Sequence, residues 1–245
     1  MSGNTYVGKV AAIYDLLYAD LSGDTELMVE YLRGTTSGDR VLEFAIGTGR
    51  LAFPLAYGGF DVTGIDTSRE MLDILAEKDP DGRLDARQGD MIADDPVAGP
   101  FDLVLLMCNT MFVAQSLSEQ VRIFSNAERS LSDDGIFVLE TFNPLHYLSR
   151  SHTFFQMRRL SRESTLLEQF SVDPVRQTLH ALNTVLEAQG TFSFEQTVRF
   201  MFPHEMDAVA HRAGRSLDRR IADWTGSRYD AASPRCISLY RRSIL

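Results

Sequence analysis

A chain of 245 residues, 44% hydrophobic and 24% charged, is long enough to bury a substantial core as one large domain or two small ones. Its 24 basic and 34 acidic side chains leave a net charge of −10, which opposes attraction to nucleic-acid phosphates and to anionic membranes. The expected partner is therefore a small molecule, with no nucleic acid and no membrane. Cys108 and Cys236 stand far apart and lack metal-type spacing, which argues against a disulfide framework and a zinc site and leaves them as buried small apolar residues. No basic leader runs into an apolar segment and no window reaches the roughly 18 apolar residues of a membrane span, so a cytoplasmic location is expected.

In chain order, "VAAIYDLLYADL" reads as an apolar helix ahead of the first strand. From residue 40 strand and helix patterns alternate. "RVLEFAI" is a short apolar run bounded by Asp39 and by glycines, and "LAFPLAYGG" ends in the paired glycines that follow a helix. "DVTGID" is strand-like. "SREMLDILAEK" carries Met71, Leu72 and Leu75 at helical spacing, with Ser68 as its cap. "LDARQGD" is a short strand, and "FDLVLLM" has the continuous apolar run of a strand buried on both faces. "SEQVRIFSNAERSL" reads as an amphipathic helix, "DDG" as a turn and "IFVLETF" as another buried strand. This alternation predicts an α/β fold, a doubly wound, mostly parallel sheet whose ligand sites lie beyond the C-terminal ends of its strands.

After Pro144 the period changes to two. "TFSFEQTVRFMF" places Phe192, Phe194, Val198, Phe200 and Phe202 on one face, and "FFQMRRL", "TLLEQFSV" and "TLHALNTVLEA" read as companion strands, the last also compatible with a helix. Residues of about 150 to 202 thus form a small antiparallel sheet inserted into the α/β unit. It is expected to roof a substrate pocket, with subunit contact in a homo-oligomer or simple packing on the main domain as its other uses. "PHEMDAVAHRAG" has a proline-first, glycine-last helix signature, and "SLDRRIADW" with "RCISLYRR" forms a terminal hairpin. The expected division is 1–38 as a helical lid, 39–149 with 203–245 as the ligand-binding core, and 150–202 as the insert.

The loop "EFAIGTGR" decides the chemistry. Gly47-Thr-Gly49-Arg-Leu-Ala52 satisfies the formal dinucleotide fingerprint, with Asp66 near the required distance. A nucleotide-hydrolase loop is set aside, because no Gly-Lys-Ser/Thr follows. Glu43, directly before the loop, would repel a pyrophosphate and suits a cationic ligand, while Gly47 and Gly49 allow close backbone approach to an uncharged ribose.

"VLEFAIGTGR", "GID" and "GDM", in that order and each at a strand end, resemble the three cofactor motifs of class I S-adenosylmethionine-dependent methyltransferases. The resemblance covers residues of about 40 to 143 and extends in architecture to the terminal hairpin. It implies a Rossmann-like, seven-stranded sheet and S-adenosyl-L-methionine as cofactor, with S-adenosyl-L-homocysteine as product. One departure stands in the first motif, where Ala45 occupies the place of the family's first glycine and takes room from the cofactor. By the resemblance, Glu43 helps hold the methionine amino group through the loop, and Ala45, Gly47 and Gly49 line the cofactor. Asp66 takes both ribose hydroxyls with Thr67 beside it, Asp90 takes the adenine amine, Met91 packs on the ring, and Met107 closes the set. Taken alone, Asp66 is equally a turn residue and Asp90 a helix cap.

The acceptor side is read from the remaining strand ends. Tyr6 precedes Tyr14 and Tyr18, which lie one helical turn apart, and "YDLLY" resembles the Y-D-x-x-Y lid of small-molecule methyltransferases, including glycine and aminosugar N-methyltransferases. That resemblance puts a tyrosine hydroxyl over the transferred methyl; the alternative is amphipathic filler in a packed helix. Asn109 and Phe112 at the fourth strand end, and Asn143 and Tyr147 at the fifth, are expected to reach substrate. His146 is the candidate base, with a surface-loop role as its alternative. The reading is N-methylation of a small amine in a biosynthetic pathway such as that of an antibiotic, with O-methylation, a nicotinamide-dependent oxidoreductase and a noncatalytic partner module as alternatives. No metal is expected.

Overall fold

In the computed structural model the described residues are 6–19, 24–94, 97–150 and 152–243; residues 1–5, 20–23, 95–96, 151 and 244–245, which belong to the segments expected above, lie outside them. Eleven strands among these residues form two sheets. The larger one runs β10-β11-β5-β4-β1-β2-β3, built from β1 (Arg40–Phe44), β2 (Asp61–Asp66), β3 (Asp85–Gln88), β4 (Phe101–Leu106), β5 (Leu131–Phe142), β10 (Arg215–Ile221) and β11 (Arg235–Arg242). The neighbours among β1 to β5 pair in parallel, and β11 enters antiparallel beside β5, with Cys236 opposite Thr141. The strand order reverses between β1 and β4, which opens a crevice at their C-terminal ends.

The apolar runs sort by face as a period of two requires. Val41, Leu103, Leu105, Ile136, Val138, Ile237 and Leu239 pack against α3 (Thr25–Arg33), α4 (Ala52–Tyr57) and α5 (Arg69–Lys78). Leu42, Phe44, Val104, Leu106, Phe137, Leu139 and Tyr240 meet α6 (Leu117–Ser130) and α8 (Pro203–Arg212). Local signals start the helices. Ser68 accepts the Met71 amide at α5, and Ser116 and Glu119 form a capping box at α6.

The second sheet contains β6 (Thr153–Arg159), β7 (Ser164–Asp173), β8 (Thr178–Glu187) and β9 (Gly190–Arg199), all antiparallel and in sequence order. "TLHALNTVLEA" is thus a strand. Two apolar groups occupy its inner face. Phe170, Val172, Leu179, Ala181 and Val198 join the core on the α6 and α8 side. Leu166 and Val185 pack instead under Val10 and Leu17 of the N-terminal segment. Phe200 and Phe202, expected on the strand, lie beyond its end at Arg199: Phe200 is 1% exposed in the core, and Phe202 precedes α8.

The N-terminal segment departs from the single helix expected. It forms two one-turn helices, α1 (Lys9–Ala12) and α2 (Tyr14–Leu17), broken at Ile13, and α3 follows unannounced by the sequence reading. Burial of Val10 and Leu17 contributes about 3–6 kcal/mol. That falls short of ordering two isolated turns, so polar ties to the main domain complete the docking. No helix among the described residues is long and apolar enough to cross a membrane.

Candidate active site

The loop after β1 is shaped by left-handed backbone: Ala45 has φ 57°, Gly47 57° and Gly49 79°. A glycine takes this conformation freely, whereas an alanine is strained in it. A Cβ on Gly47 would stand 3.3 Å from Met71 Cε and 4.0 Å from the Tyr14 ring, so this is where backbone lies bare beneath the lid. A Cβ on Gly49 would come within 2.7 Å of the Phe53 ring, and that glycine serves the packing of α4 against the loop. Asp66 ends β2 and uses both carboxylate oxygens: Oδ2 accepts from the Gly47 amide at 2.9 Å and Oδ1 from the Ser68 amide at 2.8 Å. Burial raises its carboxyl above the ordinary range while the Ser68, Gly47 and Thr67 amides pull it back. Each oxygen keeps acceptor capacity beyond these bonds, which two ribose hydroxyls can use.

The Gly89 amide donates to the Asp66 carbonyl at 3.0 Å, and the Gln88 side chain donates to the Thr67 carbonyl at 3.1 Å, so the second and third motifs are tied together. Asp90 Oδ1 accepts the Ile92 amide at 2.8 Å, an Asx turn that aims residues 90–92. Asn126, 2% exposed on α6, was missed by the sequence reading because a buried helical asparagine gives no local signal. Its Nδ2 donates to the carbonyls of Met91 and Ala93 at 2.9 and 2.7 Å and fixes the loop from below. Met107, expected to close the cofactor set, has its side chain 3% exposed in the core under α3 and α4, and its carbonyl accepts the Thr110 amide.

Glu43 provides the test of what the loop can hold. It is 3% exposed, and its Oε2 has no hydrogen-bond partner. Burial pushes its carboxyl up to about 8, against the nearby Arg50 and helped by Asp66. A buried carboxylate oxygen without a donor fits a ligand that brings a cationic N–H donor, as the methionine ammonium of S-adenosylmethionine does, and disfavours a pyrophosphate. Beside it Arg50 Nη2 lies 2.6 Å from Cys108 Sγ while its Nε is buried without a partner. Burial opposes the Arg50 charge, yet Cys108, Tyr14, Glu43 and Glu140 outweigh it. Glu140, whose carboxyl is raised chiefly by burial, faces Arg235, which also pairs with Asp24. Arg50, Cys108, Glu140, Arg235 and Asp24 line a cavity of about 20 Å³, room for one water.

Over the loop stand the lid tyrosines. Ring centroids lie 5.1 Å apart for Tyr6 and Tyr14, 4.8 Å for Tyr14 and Tyr18, and 6.5 Å for Tyr6 and Tyr18. Their hydroxyls meet the sheet: Tyr6 and Tyr18 share a hydrogen bond of 2.8 Å, and Gln196 Nε2 donates to the Tyr6 oxygen at 3.4 Å. Burial raises all three phenols, that of Tyr14 further with Cys108, Tyr6 and Glu43 nearby. Asp15, which the sequence reading passed over, pins the lid: its Oδ1 accepts the Thr48 hydroxyl at 2.6 Å and its other oxygen pairs with Lys78. On the sheet side Arg158 donates from both Nη atoms to the Leu17 carbonyl at 3.2 Å.

Three of the residues expected on the acceptor side are engaged by the protein itself. Asn109, left-handed at φ 66°, uses Oδ1 to accept the Phe142 amide and so joins the ends of β4 and β5. Asn143 is fully buried; its Oδ1 caps α7 (Pro144–Leu148) and its Nδ2 donates to the carbonyls of Asp230, Ala231 and Ser233. Phe112 is fully buried against Phe142, with centroids 4.8 Å apart. Asparagine serves loops as readily as ligands, and at a strand end the two uses look alike in sequence. Tyr147 is half-buried among Phe142, Phe154 and Phe170, and its phenol is raised by burial and by Glu168. His146 lies beside Tyr147 with Nε2 3.0 Å from the Arg150 guanidinium, on the half-buried flank of α7.

Residues 41–135 match a family described as a methyltransferase domain. The chain is similar to the CcbJ methyltransferase from Streptomyces caelestis, 30% identical with a TM-score of 0.91 over 100% of both chains. It is also 27% identical over 210 residues, 84% of each chain, to the cypemycin N-terminal methyltransferase of a Streptomyces species. The sugar N-methyltransferase KedS8 of a Streptoalloteichus species shares the fold at 21% identity and a TM-score of 0.70, over 99% of this chain and 98% of its own.

Proposed function

This chain belongs to the class I S-adenosylmethionine-dependent methyltransferases of small-molecule type, and from that premise we propose that it methylates the amine nitrogen of a small molecule in a biosynthetic pathway. The similarity to the cypemycin N-terminal methyltransferase and to a sugar N-methyltransferase supports nitrogen as the acceptor atom. The turns of α1 and α2 serve as lid, while α3, which the expected 1–38 division counted with them, packs with the core; 39–149 with 203–245 hold the cofactor, and 150–202 face the acceptor. The oxidoreductase and partner-module readings of the glycine loop are set aside.

Glu43, Gly47, Asp66, Thr67, Asp90 and Met91 would hold the cofactor, which supplies a methyl group on a positively charged sulfur. Glu43 would meet its ammonium, Asp66 its ribose, and Asp90 with Met91 its adenine. The tyrosine faces give a cation an electron-rich surround without neutralising it. Asp15 and Arg158 hold the lid turns against the loop and the sheet, so that water is displaced from above Gly47.

The observation that carries nitrogen over oxygen is the state of the tyrosine cluster. A phenol is protonated at neutral pH and burial raises all three further, so they donate and accept hydrogen bonds but remove no proton. A hydroxyl acceptor needs its proton removed during attack, whereas an amine attacks in its neutral form and its proton leaves afterwards to solvent. The arrangement works by positioning, which suits a displacement with a good leaving group. The test is methyl transfer from labelled S-adenosylmethionine to matched pairs of small amines and alcohols. The amine is expected to react in each pair, and Tyr14→Phe to lower kcat about 10- to 100-fold with S-adenosylhomocysteine affinity held within about twofold. Preferred labelling of the alcohols, or an unchanged Tyr14→Phe, refutes the reading.

A further inference from the structure

The inner face of the four-stranded sheet carries a polar row with no part in the chemistry so far. Strand register sets Gln156, Glu168 and Asn183 directly across β6, β7 and β8, with Phe194 of β9 at the end of the row. On one side of this row Leu166 and Val185 pack under the lid. On the other, Phe170 and Ala181 pack on the main domain. Burying polar side chains between two apolar zones costs stability unless each finds a partner. Here the partnering is incomplete. Glu168, 9% exposed, accepts on Oε2 from Gln156 at 2.8 Å and from Arg158 at 3.2 Å. Asn183 is only 6% exposed, and its amide, not wholly shut from solvent, makes no hydrogen bond among the described residues.

The row is also continuous with the methyl-transfer site. Gln196, one step along β9 from Phe194 on the same face, donates to the Tyr6 hydroxyl, which is bonded to that of Tyr18. A molecule whose nitrogen lies at the tyrosines would therefore lay its remaining length along Gln196, Asn183 and Glu168. Opposed side chains on neighbouring strands stand about 5 Å apart, a spacing that lets Asn183 and Glu168 reach two adjacent groups of one ligand.

Resting on the N-methyltransferase reading above, we infer that Gln156, Glu168 and Asn183 form the acceptor-recognition subsite, and that it takes a neutral, hydroxyl-bearing segment of the acceptor. Asn183 offers an acceptor oxygen and two donors, and Glu168 retains acceptor capacity on Oε1; both suit hydroxyls, which donate and accept at once. Arg158 is already committed to Glu168 and to the Leu17 carbonyl. The row thus adds no free cation for an acidic acceptor, and Glu168 repels one. A purely apolar acceptor would leave Asn183 unpaired and is disfavoured for that reason.

The experiment measures binding rather than turnover. Aminodeoxy-hexoses and the matched aminocyclohexanes without ring hydroxyls are titrated by calorimetry into the full chain loaded with S-adenosylhomocysteine. The hydroxylated amines are expected to bind at least about tenfold tighter, and Asn183→Leu to abolish that preference while S-adenosylhomocysteine affinity stays within about twofold. Thr184→Ala, on the opposite face of the same strand, controls for disturbance of the sheet and is expected to keep the preference. Equal binding of the two sets, no binding of either, or a preference that survives Asn183→Leu overturns the inference. If the N-methylation reading alone is wrong, the preference for hydroxyls and its loss in Asn183→Leu persist while the amines stay unlabelled.

Discussion

Glu43→Gln should separate the stability of the empty protein from its affinity for cofactor. The carboxyl ordinarily titrates near 4.5 and is pushed by burial to about 8. Below 4.5 the folded and unfolded chains both hold the proton. Between 4.5 and about 8 the unfolded chain has lost it while the folded chain retains it, so the protein binds more protons folded than unfolded and its stability falls as pH rises through that window. The slope approaches 1.4 kcal/mol per pH unit, and the whole window is worth at most about 5 kcal/mol. Glutamine has the same shape and no titration, so the variant's stability relative to wild type should rise with pH from about 5 to 8 and level off above. Cofactor binding should move the other way. An ammonium paired with Glu43 requires the carboxylate, so the wild-type chain should release close to one proton on binding S-adenosylhomocysteine at pH 7 and bind it more tightly as pH rises to 8. The variant should bind at least about tenfold more weakly, without that pH dependence. Urea unfolding at pH 6, 7 and 8 measures the first effect, and calorimetry in buffers of different ionisation enthalpy the second. A stability difference constant across pH, together with no proton release, would refute the assignment.

Two further changes test the loop and the lid. Ala45→Gly removes the left-handed strain of an alanine at φ 57°, about 1–2 kcal/mol, and gives back about 0.4–1 kcal/mol of unfolded-chain entropy. The net gain of about 0.5–1 kcal/mol raises the thermal midpoint by roughly 1–4 °C; a lower midpoint in calorimetric scans would show that the alanine methyl packs better than the strain costs. Asp15→Asn breaks the ion pair with Lys78 and weakens the bond to Thr48. Limited trypsin cleavage at Lys9 should then quicken several-fold and S-adenosylhomocysteine dissociate faster, and unchanged rates of both would mean that packing alone holds the lid.

The sheet was legible because a parallel strand buried on both faces leaves a continuous apolar run, as "FDLVLLM" does, and because Ser68 marks the start of a helix; "DDG", expected as a turn, instead lies inside β5, which follows α6 without a break. The period-two run near residue 192 likewise announced the inserted sheet. The N-terminal segment was harder. Its apolar residues satisfy a helical period, yet the break at Ile13 is set by docking on Leu166 and Val185, more than 140 residues away in sequence. For the site, side chains anchored by neighbouring backbone could be named from motifs, as with Asp66. Asn126 reaches its partners 33 and 35 residues away, and the row of Glu168 and Asn183 exists only once strand register is set. Asn109 and Asn143 show the converse: correct placement at a strand end did not disclose that their amides were already used by the backbone.

The distribution of strain and unpaired groups gives a second line of argument for the site, independent of the motifs. Among the described residues four that are not glycine adopt positive φ; one, Gln177, lies in a hairpin turn, and the other three are Ala45, Cys108 and Asn109, beyond the ends of the neighbouring strands β1 and β4. Among the described residues, the side-chain atoms wholly shut from solvent and without a partner are Glu43 Oε2, Arg50 Nε and Thr141 Oγ1, at the ends of β1 and β5 and in the loop between β1 and α4. Strained backbone and an unmet buried polar atom each cost about 1–3 kcal/mol, and folding alone has no use for either. Both gather on one edge of the sheet, where the strand order reverses. A ligand that donates to Glu43 would remove part of that cost only when bound, so the edge favours binding over the stability of the empty chain. The same logic explains why an alanine is tolerated at position 45: its strain adds to an edge already held by the satisfied strands behind it.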